Sequence, residues 1–147
     1  MFFKKLVLQG EEISLELDKK AKEDKIADWL PSHYFFIRDS RGTVVGKCDL
    51  RIGHNENSYY AGNIGYHVFI EYRGHHYALK ACRLLFEYAK SLGMKYLIIT
   101  CDPDNIASRK TCEHLGGEFL EMAELPAENL LRKSGSTHKC IFRYELV

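Results

Sequence analysis

The run Tyr72-Arg73-Gly74-His75-His76-Tyr77-Ala78 places a cation, a glycine and two imidazoles between a strand-like segment and a helix-like one. Such a loop suits a phosphate-class anion. The first amides of a helix have no partner inside the helix, and the summed peptide dipoles make that end positive. Arg73 adds a full charge, and Gly74 admits a close backbone approach. Neither G-x-G-x-x-G nor G-x-x-x-x-G-K-[S/T] occurs in the chain, so a dinucleotide fingerprint and a Walker loop are both absent. Taken alone, the run also reads as an ordinary strand-to-helix connection. His75 and His76 are exposed helix-start residues or, for His76, a hydrogen-bond donor to phosphate. They make a poor metal pair, because adjacent helical positions point apart and no ligand follows four residues on.

Other residues can move protons. His67 carries an imidazole, a side chain able to accept and donate a proton, on the segment feeding the loop; strict alternation puts Gly65, His67 and Phe69 on one face and Tyr66 and Val68 on the other. It reads as a general base or as a structural histidine. Cys112 shares the apolar side of a helix with Leu115, where a free thiol is ordinarily a small core residue, although a thiol with a pKa near about 8.5 can also serve as a weak acid. Asp49, Arg51 and His54 belong to a neighbouring strand and its exit loop, either facing solvent, shaping an acceptor pocket or relaying a proton through water.

The elements that would position these groups follow from periodicity. Leu6, Leu8, Ile13, Leu15 and Leu17 alternate with polar residues around Gly10, which predicts one or two short strands. The charged stretch 19–25 reads as a solvated helix face leading to Trp29 and Leu30. Segments 34–38 and 44–51 predict strands around the turn Asp39-Ser40-Arg41-Gly42, and a third strand is expected over about 60–70. Ala78, Ala81, Cys82, Leu85, Ala89 and Leu92 recur at helical spacing until Gly93. The short apolar run 96–99 predicts a buried, parallel strand. Asp102-Pro103-Asp104-Asn105 is a turn ending in an N-cap, with a helix to Leu115 before Gly116-Gly117. Strands are expected at 119–122 and 139–146, with a long loop over 123–137 between them.

Across about 58 residues, Gly62-Asn63-Ile64-Gly65-Tyr66-His67-Val68, the phosphate-type loop, Asn105-Ile106-Ala107-Ser108 and Leu115-Gly116-Gly117 follow one another in an order that resembles the GNAT family of acetyl-CoA-dependent N-acetyltransferases. The resemblance implies an α/β fold in one domain over 1–147: a mixed, mostly antiparallel sheet with a parallel splayed strand pair and helices on both faces. It implies acetyl-CoA as cosubstrate, with pyrophosphate on Arg73, Gly74, His75, His76, Tyr77 and Ala78, pantetheine on Val68 and Phe69, and a second wall at Asn105 and Ser108. It also implies direct attack by a primary amine, with His67 and Cys112 as the candidates for proton transfer and no metal. Three positions depart from the family pattern. His76 stands where the loop usually has glycine, Cys112 where many members carry a tyrosine acid, and Asn63 where relatives often place a glutamate.

Composition narrows the partners. The chain has 147 residues, 21 basic and 20 acidic, so its net charge of +1 creates no field that would gather nucleic acid or an anionic membrane. No apolar run approaches the roughly 20 residues of a membrane span, and Lys4 and Lys5 follow Met1-Phe2-Phe3 too closely for a secretory leader. Five scattered cysteines without a C-x-x-C pair fit a reduced, cytoplasmic protein. The expected partner is a small-molecule or peptide amine, with a homodimer as the assembly that an exposed sheet edge would allow. The contrasting readings are a non-catalytic CoA sensor and an interaction module on the same fold.

Overall fold

The computed structural model describes residues 5–147; Met1 to Lys4, on which the reading of the leader rests, lie outside them. In chain order the elements are β1 (Val7–Gln9), β2 (Ser14–Ala21), β3 (Ser32–Arg38), β4 (Val44–Arg51), α1 (Glu56–Ala61), β5 (Ile64–Val68) and a 3-10 turn (Ile70–Tyr72). There follow α2 (Tyr77–Ser91), β6 (Tyr96–Cys101), α3 (Ile106–His114), β7 (Glu118–Glu124), α4 (Leu130–Lys133) and β8 (His138–Glu145). The strands form two sheets, ordered β1-β2-β3-β4-β5 and β6-β8-β7. The α/β architecture with helices packed on largely antiparallel sheets is the expected one.

Between the sheets runs one core. Ile13, Leu15, Phe35, Ile37 and Leu50 of the larger sheet meet Ala81, Cys82, Leu85 and Ala89 of α2, and Leu97, Ile99 and Phe142 of the smaller sheet close it from the other side. The small residues of the α2 stripe let its backbone lie close to the sheet, and burying side chains of this size stabilises by about 1.5 to 3 kcal/mol each for the larger ones. On the opposite face of the smaller sheet, Tyr59 and Tyr60 of α1 pack on Ile98, Ala123 and Ile141. Helices therefore flank both faces of that sheet. The far face of the larger sheet presents Tyr34, Phe36, Lys47, Asp49 and His67 instead, and its end beside Tyr34 is bordered by residues 28–30, α1 and α4. All five cysteines are free and buried, with Cys101 and Cys140 directly opposite each other across β6 and β8.

The expected loop over 123–137 holds the last residues of β7 and the short α4, and three further expectations change. Residues 19–21 continue β2, paired with β3 from Ser14 to Ala21 through a bulge between Leu17 and Lys19, so the charged stretch is strand and turn where a helix face was expected. Cross-strand pairing with the core-forming β3 outweighs a charge pattern that carries no apolar stripe. Residues 56–61 are helical where a strand was expected to begin near 60. Asn55 accepts from the Ser58 amide while Ser58 accepts from the Asn55 amide, and Gly62, at φ 81°, ends the helix. The signal Asn-x-x-Ser was present in the sequence. The third change concerns the strand at 96–99, whose ladder partner is the antiparallel β8; its relation to β5 is a fork.

The fork is made by Asn63, which is fully buried. Its backbone carbonyl accepts from the Arg51 amide in β4, but its own N–H turns away and donates to Ile98 in β6. The side chain completes both edges: Nδ2 donates to the carbonyls of Arg51 at 3.0 Å and Gly53 at 2.8 Å, and Oδ1 accepts from the Ile98 amide at 2.9 Å. One side-chain amide thus acts as an extra peptide unit where three strands meet. Beyond it β5 and β6 belong to separate sheets.

Candidate functional site

The phase of the β4–β5 ladder is set by the Arg51 amide donating to Asn63 and the Phe69 amide donating to Val45. In an antiparallel pair, hydrogen-bonded positions alternate with positions whose N–H and C=O point the other way. Gly65 and His67 therefore bond to β4, and Ile64, Tyr66 and Val68 aim their backbone groups into the fork. This is an open strand edge inside the molecule. Across the gap, the Tyr66 hydroxyl meets Ser108 Oγ at 2.6 Å, so β5 and the start of α3 face each other over the wedge. Burial holds the Tyr66 phenol well above its ordinary range.

At the mouth of the wedge the chain turns into α2. Gly74 sits at φ 96° and His76, the N-cap, at φ 60°, and the His76 side chain makes no capping bond. The first helical bond runs from the Lys80 amide to His76, and among the described residues none of the amides from Gly74 to Leu79 donates to another protein group. Six consecutive backbone donors at the positive end of a 15-residue helix form an anion cradle, with exposed Arg73 beside it. Arg73 is folded back, Nε donating to the Val68 carbonyl at 3.1 Å. His76 fills the position of the family's glycine by adopting the left-handed conformation that histidine tolerates better than most side chains.

The structure gathers Arg73, Gly74, His75, His76, Tyr77 and Ala78 at the cradle, and Asn105 and Ser108 on the other rim. Asn105 caps α3, its side chain accepting from the Ser108 amide at 3.1 Å. Phe69 departs from its expected role: its amide is spent on Val45 and its carbonyl accepts from Tyr72, so its backbone offers nothing to a ligand. Tyr66 and the Val68 amide present that edge instead, the Val68 carbonyl being held by Arg73. Cys112 lies wholly inside the core, where a hydrogen bond with Cys101 and burial both push its thiol far up, so that it stays neutral and is a poor acid. His67 is exposed on the far face of the larger sheet, its ring 5.8 Å from that of Phe69. His54 stacks flat on Tyr96 at 3.9 Å between ring centres, with the Arg143 guanidinium 3.7 Å from the Tyr96 ring centre, away from the fork.

Asp49 could not be ranked by sequence alone. It faces Tyr34 across one ladder and Gly65 across the next, with its side chain only 19% exposed. Burial raises its pKa, opposed by Arg51, whose Nη2 lies 4.0 Å away. Beside this row is a cavity of about 200 Å³ whose walls include Trp29, Leu30, Tyr34, Arg51, Leu130 and Leu131. Among the described residues no group of three or more His, Cys, Asp or Glu side chains is placed to hold a metal, and no helix is long and apolar enough to cross a membrane.

A family model described as an acetyltransferase (GNAT) domain matches residues 9–118. Among solved structures, the chain is similar to a ribosomal-protein-S5-alanine acetyltransferase from Vibrio fischeri, with 14% identity, 96% of this chain and 97% of the other covered, and a TM-score of 0.69. It is similar to a ribosomal L7/L12 α-N-protein acetyltransferase in complex with coenzyme A, with 11% identity, 96% and 98% coverage and a TM-score of 0.69. It is also similar to a microcin C7 self-immunity acetyltransferase in complex with acetyl-CoA and AMP, with 23% identity, 78% and 61% coverage and a TM-score of 0.59. At these identities the likeness is one of fold. Comparison with curated protein sequences gives no match.

Proposed function

The chain belongs to the GNAT acetyltransferase family, and on that premise we propose that it transfers an acetyl group from acetyl-CoA to a primary amine by direct attack. The observation that carries this reading is the row of unpartnered amides from Gly74 to Leu79 at the mouth of the β5–β6 fork. A pyrophosphate on that row would take backbone hydrogen bonds, with Arg73 and His76 at its sides. The residues present fit coenzyme A: the cradle supplies donors, the Tyr66 backbone and the Val68 amide supply an edge for an amide-rich arm, and Asn105 and Ser108 close the other side.

The protein's contribution is then orientation. Holding amine and thioester together replaces a bimolecular encounter, and an N–H of β5 aimed into the wedge stabilises the oxyanion formed on attack. The nitrogen–carbon bond forms, the carbon–sulfur bond breaks, and the amine's proton leaves by way of His67 on the open face. Cys112 packs the core in this reading. A thiolate is a modest base, its acid having a pKa near about 8.5, so its departure needs little protonation.

The test has two parts. Acetyl-CoA should raise the melting temperature, since a ligand bound only by the native state adds about 2.7 kcal/mol at a hundredfold excess over Kd. Thiol release in the presence of a panel of amines should follow. Binding without release would make the protein a CoA sensor, and no binding at millimolar CoA would end the reading.

A further inference from the structure

The amine itself is constrained by what lies on the far face of the larger sheet. We infer that the cavity beside Tyr34 seats the side chain of an α-aminoacyl group, and that Asp49 receives this group's ammonium and takes its proton. The inference rests on the acetyl-transfer reading above and names its acceptor.

The cavity, about 200 Å³, is below the roughly 300 to 1,000 Å³ of sites that enclose a whole small ligand, and its size suits one side chain with the rest of the molecule outside. Trp29, Leu30, Leu130 and Leu131 make its walls largely apolar. Its inner wall is Tyr34 and Arg51, and these two residues bracket Asp49: Tyr34 is the cross-strand partner, and Arg51 is two residues along the same strand face. On its other side Asp49 lies over Gly65, where an added Cβ would stand 2.6 Å from Oδ1. Gly65 immediately precedes Tyr66, the first residue past Ile64 whose backbone opens into the fork. The order across the sheet is cavity, carboxylate, fork.

Asp49 and Arg51 also match the head of the proposed acceptor. Arg51 donates through Nη1 to the Gly62 carbonyl at 2.8 Å, and its Nη2 stands 4.0 Å from Asp49 Oδ2, too far for a hydrogen bond to hold the two together. In an aminoacyl group the nitrogen and the carbonyl oxygen are roughly 3 Å apart. The ammonium can reach the carboxylate while the oxygen reaches the guanidinium. The reaction balances: one ammonium proton passes to the Asp49 carboxylate, the freed lone pair bonds to the thioester carbon, the carbon–sulfur bond breaks, and the nitrogen's second proton leaves with the departing CoA thiolate, giving amide and thiol. The proton on Asp49 then passes through His67 to water. The other charged groups on this face are Lys47 in β4, opposite His67, Lys19 in β2, whose ammonium lies 5.1 Å from the Tyr34 ring centre, and, further along β2 and β3, Glu16 and Arg38, which are paired to each other. Asp28 also borders the cavity, but it is exposed to water at the rim.

Thiol release from acetyl-CoA should be measured with phenylalaninamide, phenylalanine, leucinamide and phenethylamine, the last having the amine and ring but no carbonyl. The aminoacyl compounds should exceed phenethylamine at least tenfold in kcat/KM. A preference for the amides points to a peptide N-terminus as the source, and a preference for phenylalanine points to a free amino acid. Asp49→Asn should lower kcat about 10²-fold at pH 7 with CoA affinity within twofold, and its residual rate should climb with pH in step with the acceptor's own amine, whereas the parent levels off. Phenethylamine turned over as well as the aminoacyl compounds would overturn the inference. So would an Asp49→Asn protein with the parent's kcat and pH profile, or a loss confined to Asp28→Asn. If the parent neither binds CoA nor releases thiol with any amine, the acetyl-transfer reading has failed and this inference falls with it.

Discussion

Exchanging one atom at the root of the fork tests the whole site's scaffold. In Asn63→Asp the acceptor to the Ile98 amide is kept, but Nδ2, which donates to the Arg51 and Gly53 carbonyls, becomes an oxygen. Leaving a buried carbonyl without its donor costs about 1 to 3 kcal/mol, so two such losses come to about 2 to 6 kcal/mol, before any cost of placing a charge where the parent side chain is fully buried. Against a typical total of about 5 to 15 kcal/mol, that is a large fraction. Burial and two facing carbonyl oxygens would hold the new carboxyl above the unfolded value near about 3.9, so the stability it retains is present below that pH and is lost as pH rises through its folded pKa. The loss accrues at up to about 1.4 kcal/mol per pH unit. Urea denaturation at pH 4.5, 6 and 8 reads this directly, with the parent measured alongside. The expected result is a deficit that grows with pH, accompanied by weaker CoA binding because the wedge angle is no longer held. A deficit below about 1 kcal/mol that stays flat with pH would refute the assignment of Nδ2 as the bridge between β4 and the loop that follows it.

His76→Gly should raise the melting temperature by about 2 to 3 °C, since removing a left-handed side chain returns about 1 to 2 kcal/mol and the freer unfolded glycine takes back about 0.4 to 1, a net gain of about 0.8 kcal/mol between the midpoints; a CoA titration of the same variant shows whether the imidazole also holds phosphate. Arg73→Ala should weaken CoA more than it weakens pantetheine, and equal losses by calorimetry would remove the guanidinium from the pyrophosphate. Asp49→Asn should stabilise the protein at pH 7, because burial raises the native carboxyl's pKa, which makes its ionisation a cost that appears as pH rises through that pKa. The gain should vanish near pH 3.5 in parallel melts. His67→Gln should lower kcat about tenfold with CoA affinity unchanged, and an unaltered rate would leave proton exit to water alone.

The parts of the site that were legible in the sequence depend on local rules. The loop from Arg73 to Ala78 and the Asn105 cap are short-range patterns in which spacing alone places backbone donors, and the apolar stripe through Ala81, Cys82, Leu85 and Ala89 is read by periodicity. What escaped depends on partners distant in the chain. Phe69 was assigned by neighbourhood to the strand edge, yet whether its amide points into the fork is decided by the phase of pairing with Val45, which no single segment encodes. Asn63 looked like a missing base because its bonds to Arg51, Gly53 and Ile98 exist only once three strands have met. Asp49 stands out from Arg51 and His54 only in the fold: its meaning comes from Tyr34 on one side and Gly65 on the other. The segment 19–21 shows the same effect for secondary structure, since pairing with 32–34 decided what charge patterning had suggested wrongly.

The burial of all five thiols has a practical bearing on the thiol-release assay. Cys48, Cys82, Cys101, Cys112 and Cys140 are each less than 5% exposed, so a chromogenic disulfide reagent added to the folded protein meets no accessible thiolate of its own. Colour developed during turnover then comes from released CoA. Colour developed without substrate reports molecules that have opened far enough to expose the core, and its slow rise is a clock for unfolding in the same cuvette. A variant that loses turnover while its background stays flat has lost chemistry, and one whose background climbs has lost its fold.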